Sequence, residues 1–421
     1  MASEWKKIKL GEIGRIITGK TPSSKQKELF FGSGTSFVTP RDMDCSKYIF
    51  NTERALTREG VQSVKKSLLP ENSIMVSCIG SDMGKVAIAG KSCVTNQQIN
   101  SIIVKTSYCA EYVYYDLFLR QNEIKSKASG SAVPILNKSH FSELSIKTPP
   151  LPVQRAIAHI LGSLDDKIEL NRRMNETLEA MAAAVFKSWF VNFDPVHAKA
   201  QGRDPHLPKN IANLFPNSFQ NSKLGPIPMG WKATTLKDGI EIFDNKRIPL
   251  NKHQRSERQG PYPYYGAASI MDYVNDYLFD GIYVLMGEDG SVQDDDGHPV
   301  VQYIWGKFWV NNHAHILQGK NGISTEQLSL FLKQTHIQPF VTGAVQPKLN
   351  QKNMKSVPMV LPSEPVCKAF SDTVQPLFAK VRTNREESQT LEALRNTLLP
   401  KLISGELDMS NLAIEEAGNA E

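Results

Sequence analysis

The run Gly14-Arg-Ile-Ile-Thr-Gly19-Lys20-Thr21 fits the pattern of a phosphate-cradling loop letter for letter. Such a loop holds nucleotide on free backbone amides and runs straight into a helix. Here the interior holds Ile16 and Ile17, and Pro22-Ser23-Ser24 follows at once, which suits a turn better. No companion strand ending in a magnesium-binding aspartate lies nearby; residues 282–286 before Glu288 are a distant imitation. His313 and His315 flank Ala314, but a metal pair needs further ligands, and no spacing supplies them. The carboxylates Glu288, Asp289, Asp294, Asp295 and Asp296 are of the type a metal-dependent nuclease uses. Their glycine-rich spacing reads more simply as a hairpin loop.

Asn192-Phe193-Asp194-Pro195 is a partial match to the Asn/Asp-Pro-Pro-Tyr motif of amino-methyltransferases. The second proline and the aromatic are missing, and no glycine-rich cofactor motif precedes it. Spacing supports no Ser-His-Asp or Cys-His arrangement. The residues therefore point away from catalysis in this chain.

The elements around these residues are duplicated. Pro134-Ile-Leu-Asn137 returns as Pro347-Lys-Leu-Asn350, 213 residues later. The same offset carries Pro149 to Pro362, Asn171-Arg172 to Asn384-Arg385, and Thr177-Leu-Glu-Ala180 to Thr390-Leu-Glu-Ala393. Trp5-Lys6 with Leu10 is echoed, at a different offset, by Trp231-Lys232 with Leu236. The order is variable region, shared segment, variable region, shared segment.

The shared segments have coiled-coil periodicity. Leu161, Leu164, Ile168, Asn171, Asn175, Leu178, Ala182 and Val185 alternate spacings of three and four. Val374, Leu377, Val381, Asn384, Ser388, Leu391, Arg395 and Leu398 do the same. Each segment predicts a helix of roughly 60 Å beginning near its proline pair. Asn171 and Asn384 take matching seam positions, where a buried asparagine fixes register at a cost in stability. The variable regions read as strand-rich, with apolar or alternating stretches at 73–77, 86–89, 102–104, 282–286 and 305–310. Shorter helices are expected over 111–120 and 325–333, and the Pro/Asn/Lys-rich stretch 194–228 reads as a linker.

Composition is that of a soluble globular protein, with 40% hydrophobic and 22% charged residues. No apolar run reaches the roughly 20 residues a membrane helix needs, and the N-terminus lacks a signal-peptide core. The five cysteines include no CxxC pair, which fits a reducing cytoplasm. A net charge of +6 is compatible with a polyanion partner.

Residues 132–137 (Ala-Val-Pro-Ile-Leu-Asn), the proline cluster with Gln154-Arg155, the run Ser188-Trp-Phe-Val-Asn-Phe-Asp-Pro-Val196 and the ending Pro400-Lys-Leu-Ile-Ser-Gly405 resemble the specificity subunit of type I restriction–modification enzymes. In organisation the resemblance covers essentially the whole chain. It implies an α+β protein: two mixed, strand-rich target-recognition domains joined by two long antiparallel helices, with a pseudo-twofold internal repeat. The domains would be 1–149 and 229–361, the helices 150–193 and 362–405, with a linker at 194–228 and a tail at 406–421. Each domain would read one half of a split, asymmetric site in double-stranded DNA. The partners implied are two modification subunits, which carry the S-adenosylmethionine chemistry, and restriction subunits, which use ATP and Mg; no cofactor belongs to this chain. The competing readings are a free-standing P-loop nucleotide-binding enzyme and a coiled-coil adaptor without DNA contact.

Phosphates are met by cations, hydroxyls and amides, and bases by arginine, amides and short polar groups. In the first domain such groups are Lys20, Thr21, Ser23, Lys25, Arg41, Lys85, Asn96 and Gln97. In the second they are Lys246, Arg247, Lys252, Arg255, Arg258, Tyr264, Tyr265, Asn311, Asn312 and His313, with Asn311-Asn312-His313 set against Thr95-Asn96-Gln97. Leu178, Val185, Phe186, Trp189, Leu398 and Leu402 are candidate seats for the modification subunits.

Overall fold

The computed structural model describes residues 5–43, 46–80, 82–126, 135–343 and 345–409. The chain forms two compact units, Met1–Asn171 with Glu386–Glu421, and Arg172–Arg385. Cys45, residues 132–134 of the repeated motif and the tail from 410 lie outside the described residues.

The first unit is built on a sheet with the order Gly14–Thr18, Ile99–Val104, Ile74–Ser77, Val86–Ala89, Tyr48–Ile49. Its first four strands pair antiparallel and the last pairs parallel. Ile74–Ser77 and Val86–Ala89 are buried along their whole length because both faces are covered. Ile74, Val76, Val86 and Ile88 join the core containing Tyr112 and Val113 of the helix Ala110–Leu119. Met75, Ala87 and Ala89 join a second core with Ile17, Val38 and Ile99. A smaller sheet runs Ala55–Leu56, Phe31–Val38, Cys93–Thr95, Leu68–Leu69, and Phe31–Val38 lies parallel to Cys93–Thr95.

The second unit repeats the core pairings of this plan within one six-stranded sheet. Its sheet runs Ile240–Ile242, Ala314–Gly319, Phe279–Gly287, Val301–Val310, Gln259–Tyr265, Ile270–Val274. The strand Gln259–Tyr265 lies parallel to Val301–Val310, as Phe31–Val38 does to Cys93–Thr95. Each unit is closed by a two-stranded ribbon: Lys6–Lys9 with Ser145–Thr148, and Lys232–Thr235 with Pro358–Leu361. The helix Thr325–Lys333 starts on Ser324, whose hydroxyl accepts from the Gln327 amide (3.1 Å).

The repeated Pro-x-Leu-Asn motif acquires a physical meaning here. Leu136 and Leu349 are buried. The next residue caps a short helix each time: Asn137 accepts from the His140 amide, and Asn350 from the Asn353 amide (both 2.9 Å).

The shared segments are the long helices Leu151–Phe186 and Glu364–Ser404. Within the first unit they run antiparallel: Asp165 pairs with Arg395 (2.7 Å), and Lys167 with Glu387 (3.3 Å). Within the second, Asn384 donates to Asn175 (2.8 Å), while Phe186 packs edge-on against Phe370. Asn171 and Asn384 are both fully buried; Asn171 donates to Glu387 (2.9 Å). Residues 153–161 belong to the first unit's core, whereas Ala182, Phe186 and Trp189 belong to the second's. Conversely, Val366, Phe370, Val374 and Phe378 sit in the second core, and Leu399, Leu402 and Ile403 in the first.

Residues 194–228 are more than the linker the sequence suggested. They form the helices Asp194–Ala200 and Lys209–Ala212 and the hairpin Phe219–Ser222/Gly225–Pro228. Val196, Phe215 and Ile227 are buried in the second core, where Trp189 meets Phe215 (ring centroids 5.1 Å). The polar composition had hidden three well-spaced apolar anchors.

Trp189 also packs against Phe370 (5.7 Å). Trp189→Ala is expected to cost about 3–5 kcal/mol, the usual range for a buried tryptophan. Leu178→Ala, half-buried on the seam, should cost clearly less. Denaturant unfolding of the two variants checks this order.

Candidate nucleic-acid interface

At one end of the first unit's sheet, four loops are tied together. The Gly19 amide donates to Ile99 (3.0 Å) and the Lys20 amide to Thr95 (2.9 Å). A Cβ at Gly19 would lie 2.1 Å from the Asn96 carbonyl, so the close approach requires glycine. The Asn96 amide donates to Val38 (3.0 Å), and its buried side chain bonds Gln98 twice, accepting from the amide (3.1 Å) and donating to Oε1 (2.8 Å). Thr21 donates to Gln97 Oε1 (2.6 Å), which leaves the Gln97 amide group facing outward. Lys85 pairs with Asp82 (2.7 Å) and reaches the Pro40 carbonyl (3.4 Å), next to Arg41. Lys20, Ser23, Lys25, Arg41 and Gln97 are exposed on these loops. The residues of the suspected phosphate loop do other work: Gly14–Thr18 is a strand paired with Ile99–Val104, its backbone engaged in the ladder.

Beneath this end lies a buried polar bridge. Thr18 donates to Asn100 Oδ1 (2.6 Å), and Asn100 donates to the Leu136 carbonyl (2.9 Å). The second unit builds the same bridge from ionisable groups. His315 Nδ1 meets Asp244 Oδ2 (2.6 Å) and Nε2 meets the Leu349 carbonyl (2.8 Å). Both nitrogens of the fully buried imidazole are therefore engaged. Asp244 also accepts from the Ile316 amide (2.9 Å) and from Gln351 (2.6 Å). Burial pushes the Asp244 carboxyl up, but the His315 bond and charge, the Ile316 amide and Arg247 together hold it below the ordinary value of 3.8.

Arg247 completes the network. It donates to Glu288 (2.7 Å) and to the Ala314 carbonyl (2.8 Å). Asp244, Glu288 and His315 thus bring three potential metal donors within 4.8 Å of one another. The guanidinium already answers the Glu288 carboxylate, and both His315 nitrogens are engaged, so the group reads as an ion-pair network and not as a metal centre. His313 and His315 form no metal pair either, as the spacing suggested: His313 bonds Asp289 instead.

Several predicted contact residues are internal. Arg247 is held as described. Arg255 bonds Asp272 (3.1 Å) and the Leu250 carbonyl (2.7 Å) and lies over the Tyr264 ring. Tyr264 is buried, its hydroxyl accepting from the Leu250 amide (2.9 Å). Asn96 and Asn311 are buried turn-formers. Tyr265 is half-buried against Phe308. Lys246, Lys252, Arg258 and Asn312 remain exposed, and His313 is half-exposed. Among the partner seats, Phe186, Trp189 and Leu402 are buried in the chain's own cores; only Leu178, Val185 and Leu398 stay partly open.

The structure also shifts the alignment of the two domains. Asn311 accepts from the His313 amide (2.8 Å) as Asn96 does from Gln98, so Asn96 corresponds to Asn311, one residue from the register read in the sequence. Thr18 then corresponds to Asp244, Asn100 to His315, and Lys20 to Lys246. The Trp5/Trp231 and Leu10/Leu236 echo carries this last match at its own offset; that signal could have singled out Asp244, which side-chain type alone did not.

The model of the type I restriction modification DNA specificity domain matches residues 2–180 and again 228–393. The chain belongs to this family. The type I restriction enzyme MjaIX specificity subunit of Methanocaldococcus jannaschii is 29% identical over 424 residues, covering 97% of this chain and 95% of that one. The HindI specificity subunit of Haemophilus influenzae is 24% identical, covering 96% and 100%. The crystal structure of the type I restriction-modification system S subunit from M. genitalium shares the fold, with a TM-score of 0.57 at 19% identity over 95% of this chain and 96% of that one. A specificity subunit is not itself the catalyst. No helix among the described residues is long and apolar enough to cross a membrane.

Two expectations separate contact from scaffold. Lys246→Ala should leave thermal stability unchanged while lowering DNA affinity and reducing the slope of log affinity against log salt by about 1. Arg247→Ala should instead lower the melting temperature, because it strips Glu288 of its buried partner. Asp244 supplies a pH test. Its lowered value means that its contribution is present above the ordinary value of 3.8 and is lost as pH falls through the folded-state value. Asp244→Asn should therefore be less stable at pH 7 and lose less stability below about pH 4, as followed by unfolding across pH.

Proposed function

We propose that this chain is the DNA-reading subunit of a type I complex, each domain addressing one half of a bipartite, asymmetric site. What carries the reading is one sheet plan built twice beneath loop ends with different side chains: Lys20, Lys25, Arg41 and Gln97 on one, Lys246, Lys252, Arg258 and Asn312 on the other. A common frame with unlike readers is what two unlike half-sites require. The helical pair would set the gap between half-sites, on the order of one to two duplex turns at about 34–36 Å each.

Apolar positions left open or partly open on the long helices, Leu170, Leu394 and Leu398 in the first unit and Leu178, Met181 and Val185 in the second, are the seats offered to two modification subunits. Those subunits would bind S-adenosylmethionine and extrude the target adenine, since chemistry on a stacked base is blocked. ATP and Mg would be used by the restriction subunits. None of these groups is assigned to residues of this chain.

The test is methylome mapping in a host expressing this chain with its modification subunit. A two-part motif with a fixed gap, lost when the chain is deleted, is the expected result. Replacing residues 1–131 by those of another family member should alter one half of the motif and leave the other. Methylation that persists unchanged without the chain overturns the proposal.

A further inference from the structure

The loop end of the second domain carries an apolar surface that the charged and amide contacts leave unused. Ile248, Ile270 and Met271 are 52%, 40% and 51% exposed. Each is held firmly from below. The Ile248 carbonyl accepts from the Trp309 indole (2.6 Å). The Met271 sulfur accepts from the buried Asn311 side chain (3.1 Å), and its side chain covers Gly266, where a Cβ would come within 2.8 Å of it. Ile270 pairs with Tyr265, whose carbonyl accepts from the Asn311 amide (3.0 Å). Ile270 and Met271 therefore border the turn that presents Asn312 to solvent, and Ile248 follows Arg247, which donates to the Asn312 carbonyl (3.3 Å).

The charges nearby indicate what covers this surface. Lys246, Lys252 and Arg258 are exposed in the same segment as Ile248. Asp272, beside Met271, is already answered by Arg255. An apolar patch bordered by exposed cations fits a polyanion that carries apolar groups of its own. In the major groove of DNA that group is the C5-methyl of thymine, which cytosine lacks.

We propose that Met271, with Ile248 and Ile270 beside it, reads a thymine of the second domain's half-site by packing on its C5-methyl group. This rests on the DNA-reading function proposed above. It also separates the labour within the loop end: lysines and Arg258 hold phosphates, Asn312 offers an amide to a base edge, and the apolar trio discriminates T from C.

The test uses the chain assembled with its modification subunit and duplexes bearing the mapped site. Each thymine of the second domain's half-site is replaced in turn by deoxyuridine, which removes the methyl and nothing else. Affinity is expected to fall about three- to fivefold at one or two positions, the scale of one buried methyl group. Met271→Ala should bind the thymine and uracil duplexes alike, Met271→Leu should keep the preference, and both should retain the wild-type salt slope. A half-site without an A·T pair, or uracil tolerated at every position, overturns the proposal while sequence-specific binding stands. A Met271→Ala complex that assembles and still prefers thymine over uracil also overturns it. A wild-type complex with no sequence preference at all would remove the DNA-reading function itself.

Discussion

Everything in this chain depends on burying the ends of the two long helices. A seam of alternating apolar and polar positions that includes Asn171, Asn175 and Asn384 is a weak source of stability by itself. The strong contacts lie at the termini. Phe186 and Trp189 enter an aromatic cluster with Phe190, Phe215, Trp231 and Phe370, and Leu399, Leu402 and Ile403 complete the core around Leu10 and Tyr112. Each helix thus starts in one domain core and finishes in the other. Side chains that look, on a helical wheel, like an open docking face are consumed internally.

The duplicated plan was legible in the sequence because it leaves marks in residue identity. Pro-x-Leu-Asn survives in both copies because a buried leucine and a helix cap are needed at one fixed place. The helices were legible because a period of seven is hard to produce by accident. The strands at 74–77 and 86–89 were visible as apolar runs, although their two-sided burial was not. The segment 194–228 misled because its anchors Val196, Phe215 and Ile227 are isolated among polar residues, and only tertiary packing shows them to be core.

The candidate contacts were legible as loop residues more than in their surroundings. Residue type names a possible contact but says nothing of whether the group is already spoken for. Arg247 and Lys246 are neighbours in sequence with opposite fates, one closed into a buried network and the other left in water. The same holds for Tyr264, whose hydroxyl serves the backbone of Leu250. Conversely, the bridge beneath each loop end uses Thr18 with Asn100 in one domain and Asp244 with His315 in the other. The geometry is kept while the side chains change from hydroxyl and amide to carboxylate and imidazole, so no identity is left for the eye to follow. This is how a fixed frame can carry unlike recognition surfaces.

The two units also differ in how the chain supplies them. The second is one continuous stretch, Arg172–Arg385, whereas the first is assembled from the segments on either side of it, Met1–Asn171 and Glu386–Glu421. Leu399, Leu402, Ile403 and Met409 belong to a core whose other buried members lie at residues 10–161. A chain emerging from the ribosome therefore holds everything needed for the second unit's core while the first still lacks a wall. Closing that wall requires contacts between residues hundreds of positions apart, and contacts of such sequence separation form slowly. The unit begun first is therefore expected to be sealed last.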